Sequence, residues 1–197
     1  MTSKVILISP ATSQSLRLAR FDDGGPLDEA GTARARAAAG SLPQAGRVVL
    51  SLGSVRCRET AVALRLRGEE EPGLTPLNVG RWRGLALDEV AAAEPEAMAH
   101  WLTDPTWAQH RGESVENMCA RVGHWLRAVQ ESEERTLAVV EPEVVRAAVV
   151  CALGLPTTAF WRLDVPPLSA TELSGRSGRW NLRLGRRLDA SGATDAP

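Results

Sequence analysis

The chain has no tyrosine, and Lys4 is its only lysine. A tyrosine acid is thereby excluded, and a Schiff-base lysine is reduced to one candidate at the very start of the sequence. Cysteine is also scarce: Cys57, Cys119 and Cys151 form an odd, widely spaced set. That argues against a disulfide framework and against a zinc site. Cys119 and Cys151 fall in predicted helices, as small buried hydrophobes. No metal and no cofactor are expected. No apolar run reaches the roughly 20 residues of a membrane span, and Val5-Ile6-Leu7-Ile8 is too short and weakly flanked for a signal peptide. A cytoplasmic protein is the expectation, with no membrane contact. The formal net charge of -1 leaves no basic footprint for nucleic acid. Histidine is limited to His100, His110 and His124, so acid–base work falls mainly on carboxylates, with His110 in reserve.

What remains is ordinary globular material. A length of 197 residues, 44% hydrophobic and 24% charged, suits a core that closes without disulfide or metal. The bias to Arg, Ala and Gly is what a GC-rich bacterial genome would give. Lys4 to Ser9 reads as a buried strand closed by Pro10, with further strands at Arg47–Ser51 and Thr136–Val140. Asp28 caps a helix through Ala39, and Ser54 caps one from Val55 to Arg67 with Gly68 as its stop. Glu69 to Gly84 is loop-like, and short helical pieces broken by Pro95 and Pro105 follow. Val115, Met118, Val122, Trp125, Leu126 and Val129 mark the clearest amphipathic helix, with His124 beside the stripe on the surface. An apolar helix spans Pro142–Leu153. Leu168–Leu173 and Arg179–Leu184 read as closing strands. Strands alternating with helices predict an α/β three-layer sandwich, a mostly parallel sheet with helices on both faces and the site at the carboxyl ends of strands. Residues 1–188 are expected to form one domain with a helical lid insertion at about 69–111, and 189–197 a disordered tail.

Five segments in order carry a resemblance. Arg20-Phe21 with Pro26-Leu27 and Gly31 comes first, then Gly53-Ser54-Val55-Arg56-Cys57-Arg58-Glu59-Thr60-Ala61. Gly80-Arg81-Trp82-Arg83-Gly84, Gly112-Glu113-Ser114 and Glu141-Pro142-Glu143-Val144-Val145-Arg146-Ala147 follow. Over roughly Lys4 to Leu184 the chain resembles the histidine phosphatase (phosphoglycerate mutase-like) superfamily. The resemblance implies that fold, and it places Arg56 in the phosphate pocket. It also implies that the family's nucleophilic histidine corresponds to Pro10 and its neighbouring arginine to Ser9. A nearby asparagine corresponds to Leu16, the proton-donating acid to Pro76, and the second histidine to Glu141.

On that alignment the chain is expected to be a degenerate member lacking both catalytic histidines, a diverged protein and not an ordinary phosphatase. A proline offers no nucleophile, and Glu141 and Glu143 at a helix N-terminus repel phosphate. The main expectation is a repurposed pocket in which Arg56 and Glu141 are catalytic and bind a small non-phosphorylated molecule, with Glu141 as general base for isomerisation, elimination, cyclisation or hydrolysis. Ser9, Thr12, Ser13, Arg20, Trp82 at the pocket rim, His110 and the first-turn acid Glu113 are the candidate binding residues. Two alternatives stand beside it: a non-catalytic pseudophosphatase serving as a binding or regulatory partner, and residual phosphatase activity by another route. Expected partners are a small-molecule ligand and, for assembly, a second copy of the chain.

Overall fold

The computed structural model describes residues 2–132, 134–176 and 178–188. The expected tail, 189–197, lies outside the described residues. Ser3–Ile8 (β1) alternates between two apolar environments: Val5 and Leu7 pack into one core cluster, Ile6 and Ile8 into another. A strand covered on both faces needs a continuous apolar run, which β1 has. Its neighbours are Arg135–Val139 (β4), parallel, and Ser169–Arg176 (β5), antiparallel. Arg47–Ser51 (β2) pairs parallel with β4 and with the short Glu69–Glu71 (β3), and Arg179–Arg187 (β6) closes the far edge against β5. The order is β3-β2-β4-β1-β5-β6, a mixed sheet with a parallel centre.

Helices cover both faces, as the α/β sandwich requires. Gln14–Arg17 (α1) is a single turn; Glu29–Ala37 (α2) and Val55–Ala63 (α3) lie on the Ile6/Ile8 side. Val115–Ser132 (α6) and Pro142–Leu153 (α7) cover the Val5/Leu7 side, joined there by Leu87–Ala93 (α4) and Pro95–Thr103 (α5). Caps set the starts. Asp28 accepts from the Gly31 amide at 2.6 Å, Ser54 from Cys57 at 3.1 Å and Ser114 from Asn117 at 3.1 Å. Pro142 opens α7, and left-handed Gly154 closes it.

Several boundaries differ from expectation. The helix after Ser54 ends at Ala63, because Arg65 turns left-handed at φ 60°. Gly68 is therefore no helix stop; a Cβ there would lie 2.6 Å from the Val48 carbonyl oxygen, so it admits β3 beside β2. Glu69–Glu71, expected as loop, is that edge strand, and the segment 69–111 begins in the sheet before it becomes helical. The closing strands also run longer than expected, to Arg176 and Arg187.

The cover segment is tied back on itself by bare backbone. A Cβ on Gly112 would sit 1.9 Å from the Asn78 carbonyl oxygen, and one on Gly80 2.1 Å from that of His110. Arg121 on α6 then holds the cover with bonds to the Gly73 and Thr75 carbonyls and a two-point ion pair with Glu113 at 2.7 and 2.9 Å. Gly112→Ala is expected to destabilise the fold by about 1–3 kcal/mol through overpacking, read as a lower denaturant midpoint at unchanged slope.

Candidate functional site

The tips of β1 and β4 leave the sheet side by side: Ile8 pairs with Val139, and the Val140 amide donates to the Ile8 carbonyl at 2.9 Å. Pro10 and Glu141 therefore emerge from adjacent strands. On the other side of β4, β2 delivers the turn into α3, which carries Ser54 and Arg56 to the same place. The Pro10-Ala11 turn rests on α3 through the Ala11 amide, which donates to Thr60 Oγ1 at 3.1 Å.

Arg56 and Glu141 meet there. Arg56 Nη2 donates to Glu141 Oε2 at 2.5 Å, and Arg56 Nη1 to Ser13 Oγ at 3.3 Å. Arg56 Nε lies 3.4 Å from Asp22 Oδ1, close enough to pair but misaligned for a hydrogen bond. Glu141 Oε1 accepts from Ser54 Oγ at 2.6 Å and faces Cys57 Sγ at 3.8 Å. The carboxylate is almost sealed, at 1% exposure, and Arg56 is buried.

Burial dominates the electrostatics. It pushes the Glu141 carboxyl up to about 7, against the pull of Arg56 and with the help of Glu143 and Asp22. Burial opposes the charge on Arg56, but Glu141 and Asp22 more than offset it and hold the guanidinium above its usual range. Burial and the Glu141 charge push the Cys57 thiol well up, so it is a donor to Glu141 and not a nucleophile. The cluster thus holds one fixed cation and one carboxyl able to take or release a proton near neutrality.

Of the other candidates only Ser13 joins it. Ser9 is buried against β5, its hydroxyl donating to the Pro166 carbonyl at 2.6 Å. Thr12 is consumed by Asp28 and Arg34, at 2.9 and 2.8 Å. Arg20 points along the surface to the Gly84 carbonyl at 3.1 Å. Trp82, expected at the rim, is fully buried among Phe21, Trp101 and Trp107, because the cover needs an aromatic core of its own. His110 is buried in the same cluster against Trp82 and Trp107; its Nδ1 accepts from the Gly112 amide at 2.9 Å, and burial lowers its pKa. Glu113 precedes α6 instead of lying in its first turn and pairs with Arg121. Asp22, Ser54 and Cys57 were not singled out by sequence as site residues. Ser54 and Cys57 flank Arg56 in its motif, which was the available signal; nothing local distinguishes Asp22 from Asp23. A surface cavity of about 460 Å³, lined in part by Lys4, Arg135 and Glu172, holds none of these residues. No described helix is long and apolar enough to cross a membrane.

Known proteins are similar to this chain in sequence and in fold. A glucosyl-3-phosphoglycerate phosphatase of Mycobacterium tuberculosis is 32% identical over 180 residues, covering 79% of this chain and 81% of the relative. Phosphoserine phosphatase 1 of Hydrogenobacter thermophilus is 30% identical over 106 residues; the chain spans half of that relative's length. The solved structure of the mycobacterial glucosyl-3-phosphoglycerate phosphatase with VO3 superposes at a TM-score of 0.80, with 25% identity, covering 95% of this chain and 99% of that one. These likenesses correct the expectation of a degenerate, repurposed or non-catalytic scaffold for a non-phosphorylated molecule: what the chain matches over four-fifths of both lengths is a phosphatase, solved with a phosphate-like oxyanion. The signature of the "Histidine phosphatase superfamily (branch 1)" matches residues 14–186, and the chain belongs to that superfamily.

Proposed function

We propose that this protein hydrolyses small phosphomonoesters by direct attack of water, with Arg56 and Glu141 catalytic. The observation that carries the reading is the buried guanidinium facing a carboxyl whose pKa lies near 7, at the strand tips of a phosphatase-family fold. Pro10 has no nucleophilic side chain, and His110 is held in the aromatic core, so neither supplies the nucleophile. Water takes the place of the enzyme nucleophile.

The long contacts of Arg56, to Ser13 at 3.3 Å and Asp22 at 3.4 Å, are its replaceable ones. A phosphoryl group takes Nη1 and Nε from them, while Nη2 stays on Glu141. Glu141 accepts a proton from water as the new oxygen–phosphorus bond forms and the ester oxygen–phosphorus bond breaks. The departing oxygen takes its proton from solvent, giving an alcohol and inorganic phosphate. Arg56 offsets the charge spread over the phosphoryl oxygens. A base of pKa near 7 suits this work. Ser13 positions Arg56, and Ser54 positions Glu141.

The test is phosphate release from a phosphomonoester panel headed by glucosyl-3-phosphoglycerate, the substrate in the relative's name. Turnover is expected, and silence across the panel overturns the reading. Glu141→Gln is expected to lower kcat by about 10²–10⁴, the range for a lost general base, while tightening orthovanadate binding because the neutral amide no longer repels the anion. Acid-quenched reactions with phosphorus-labelled substrate are expected to leave no label on the protein; a labelled residue would place an enzyme nucleophile in the path.

The same carboxyl sets a stability prediction. Its folded pKa is raised from 4.5 to about 7, so the native state keeps a proton that the unfolded chain releases across that interval. Stability from this group is present below about 4.5 and is lost as pH rises through about 7, by roughly 1.4 kcal/mol per pH unit. Buried His110, with its lowered pKa, acts in the opposite direction. The readout is therefore the difference between wild type and Glu141→Gln in urea unfolding at pH 5 and pH 8. The variant is expected to lose the Glu141 slope, gaining relative to wild type as pH rises.

A further inference from the structure

The backbone from Ser13 to Asp22 grips Arg56 at both ends: Ser13 Oγ accepts from Nη1 at 3.3 Å, and Asp22 Oδ1 lies 3.4 Å from Nε. Between those grips the segment exposes two leucines beside the charged side chains of Arg17 and Arg20. Leu16 and Leu18 are there, the latter 53% exposed, and Leu16 stands where the family resemblance placed an asparagine. Residues 84–87 run alongside. The Phe21 amide donates to the Leu85 carbonyl at 3.0 Å, the Leu87 amide to the Ala19 carbonyl at 2.9 Å, and Arg20 bridges to Ala86. That second segment adds exposed Leu85 and Leu87. Four of the seven exposed large hydrophobic side chains among the described residues thus fall in two segments bonded to each other.

Backbone strain marks the same place. Ala19 sits left-handed at φ 49°, where an L side chain is disfavoured, and it separates Leu18 from Arg20. Phe21 is buried against Trp82 and Trp101 and anchors the end of the segment. Large exposed apolar side chains gathered on two bonded segments are the kind of surface that can take an apolar ligand. The segment that carries Leu16 and Leu18 is the one that holds Arg56 at both ends, so a ligand whose anionic head replaces Ser13 and Asp22 lies against that segment.

We infer that the substrate is a phosphomonoester with an apolar body, its phosphoryl group on Arg56 and its hydrocarbon portion on Leu16, Leu18, Leu85 and Leu87. This rests on the phosphoesterase reading for the seating of the phosphoryl group at Arg56. It assigns the specificity that the catalytic pair leaves open. Arg56 and Glu141 act on any phosphoryl group, whereas the four leucines discriminate by what is attached to it.

The test uses binding, so that it does not depend on turnover. Alkylphosphonates from methyl to octyl, kept below their micelle concentrations, are titrated into the full chain by calorimetry at pH 7. Kd is expected to fall by about two- to fourfold per methylene beyond propyl, the range for methylenes leaving water. The double variant Leu18→Ser/Leu87→Ser changes only exposed positions, so its fold survives, and it is expected to flatten that dependence. A Kd independent of chain length, an unchanged dependence in the double variant, or no phosphonate binding at all overturns the inference. Chain-length-independent binding in a wild type that self-associates, with association lost in the double variant, would reassign the patch to a second copy of the chain. Retained chain-length dependence without phosphate release from octyl phosphate would sink the phosphoesterase reading and leave the apolar site standing.

Discussion

The bond between Arg56 and Glu141 joins the two halves of this fold's functional end. One partner arrives on the helix after β2, the other at the tip of β4, and both are nearly closed to solvent. Removing two charges from water is costly, and such pairs persist only where further polar contacts complete them. Ser54, Ser13 and Asp22 supply those contacts, and each comes from a different turn. The site, the segment that wraps it and the caps of two helices are therefore one structure. Ser54 illustrates this directly, since its hydroxyl both caps α3 and donates to Glu141.

The pair also changes how the chain stands within its superfamily. Glutamate stands at the β4 tip, where the family resemblance implies an imidazole, and its carboxylate already occupies the Arg56 guanidinium. Burial moderates that negative charge by raising the carboxyl pKa to about 7, so that the group is only partly ionised at ordinary pH. A carboxyl that gains and loses its proton near pH 7 suits base work with water and is compatible with an anion next to it. The proposed chemistry proceeds without a phosphoenzyme on that ground.

The cover over this end draws its rigidity from tryptophan. Trp82, Trp101 and Trp107 pack with Phe21 and His110, and Arg121 bolts the cover to α6 through backbone carbonyls and Glu113. Residues that motif reasoning assigned to the ligand, Trp82, His110 and Glu113, are spent on this scaffold. Large aromatic side chains are the strongest packing units available. In a segment with little regular structure they went to holding it together.

The order of strands and helices, the caps at Asp28 and Ser54, the apolar helix from Pro142 to Leu153 and the adjacency of Arg56 and Glu141 were all legible in the sequence. The elements and caps depend on local rules, apolar periodicity and short polar side chains, whereas the adjacency of Arg56 and Glu141 was what the family resemblance implied. Helix and strand ends were less legible, because a left-handed turn at Arg65 and the pairing of Glu69–Glu71 depend on neighbours far along the chain. The site divided in the same way. Sequence alone determined which residue types the chain can bring to the site: no tyrosine, a single lysine and three histidines. Only the tertiary structure decided that Ser13 and Asp22, but not Ser9 or Thr12, reach Arg56. A hydroxyl or carboxylate binds whichever partner the packed chain brings within about 3 Å, and that distance is set by strands and helices that are remote in sequence.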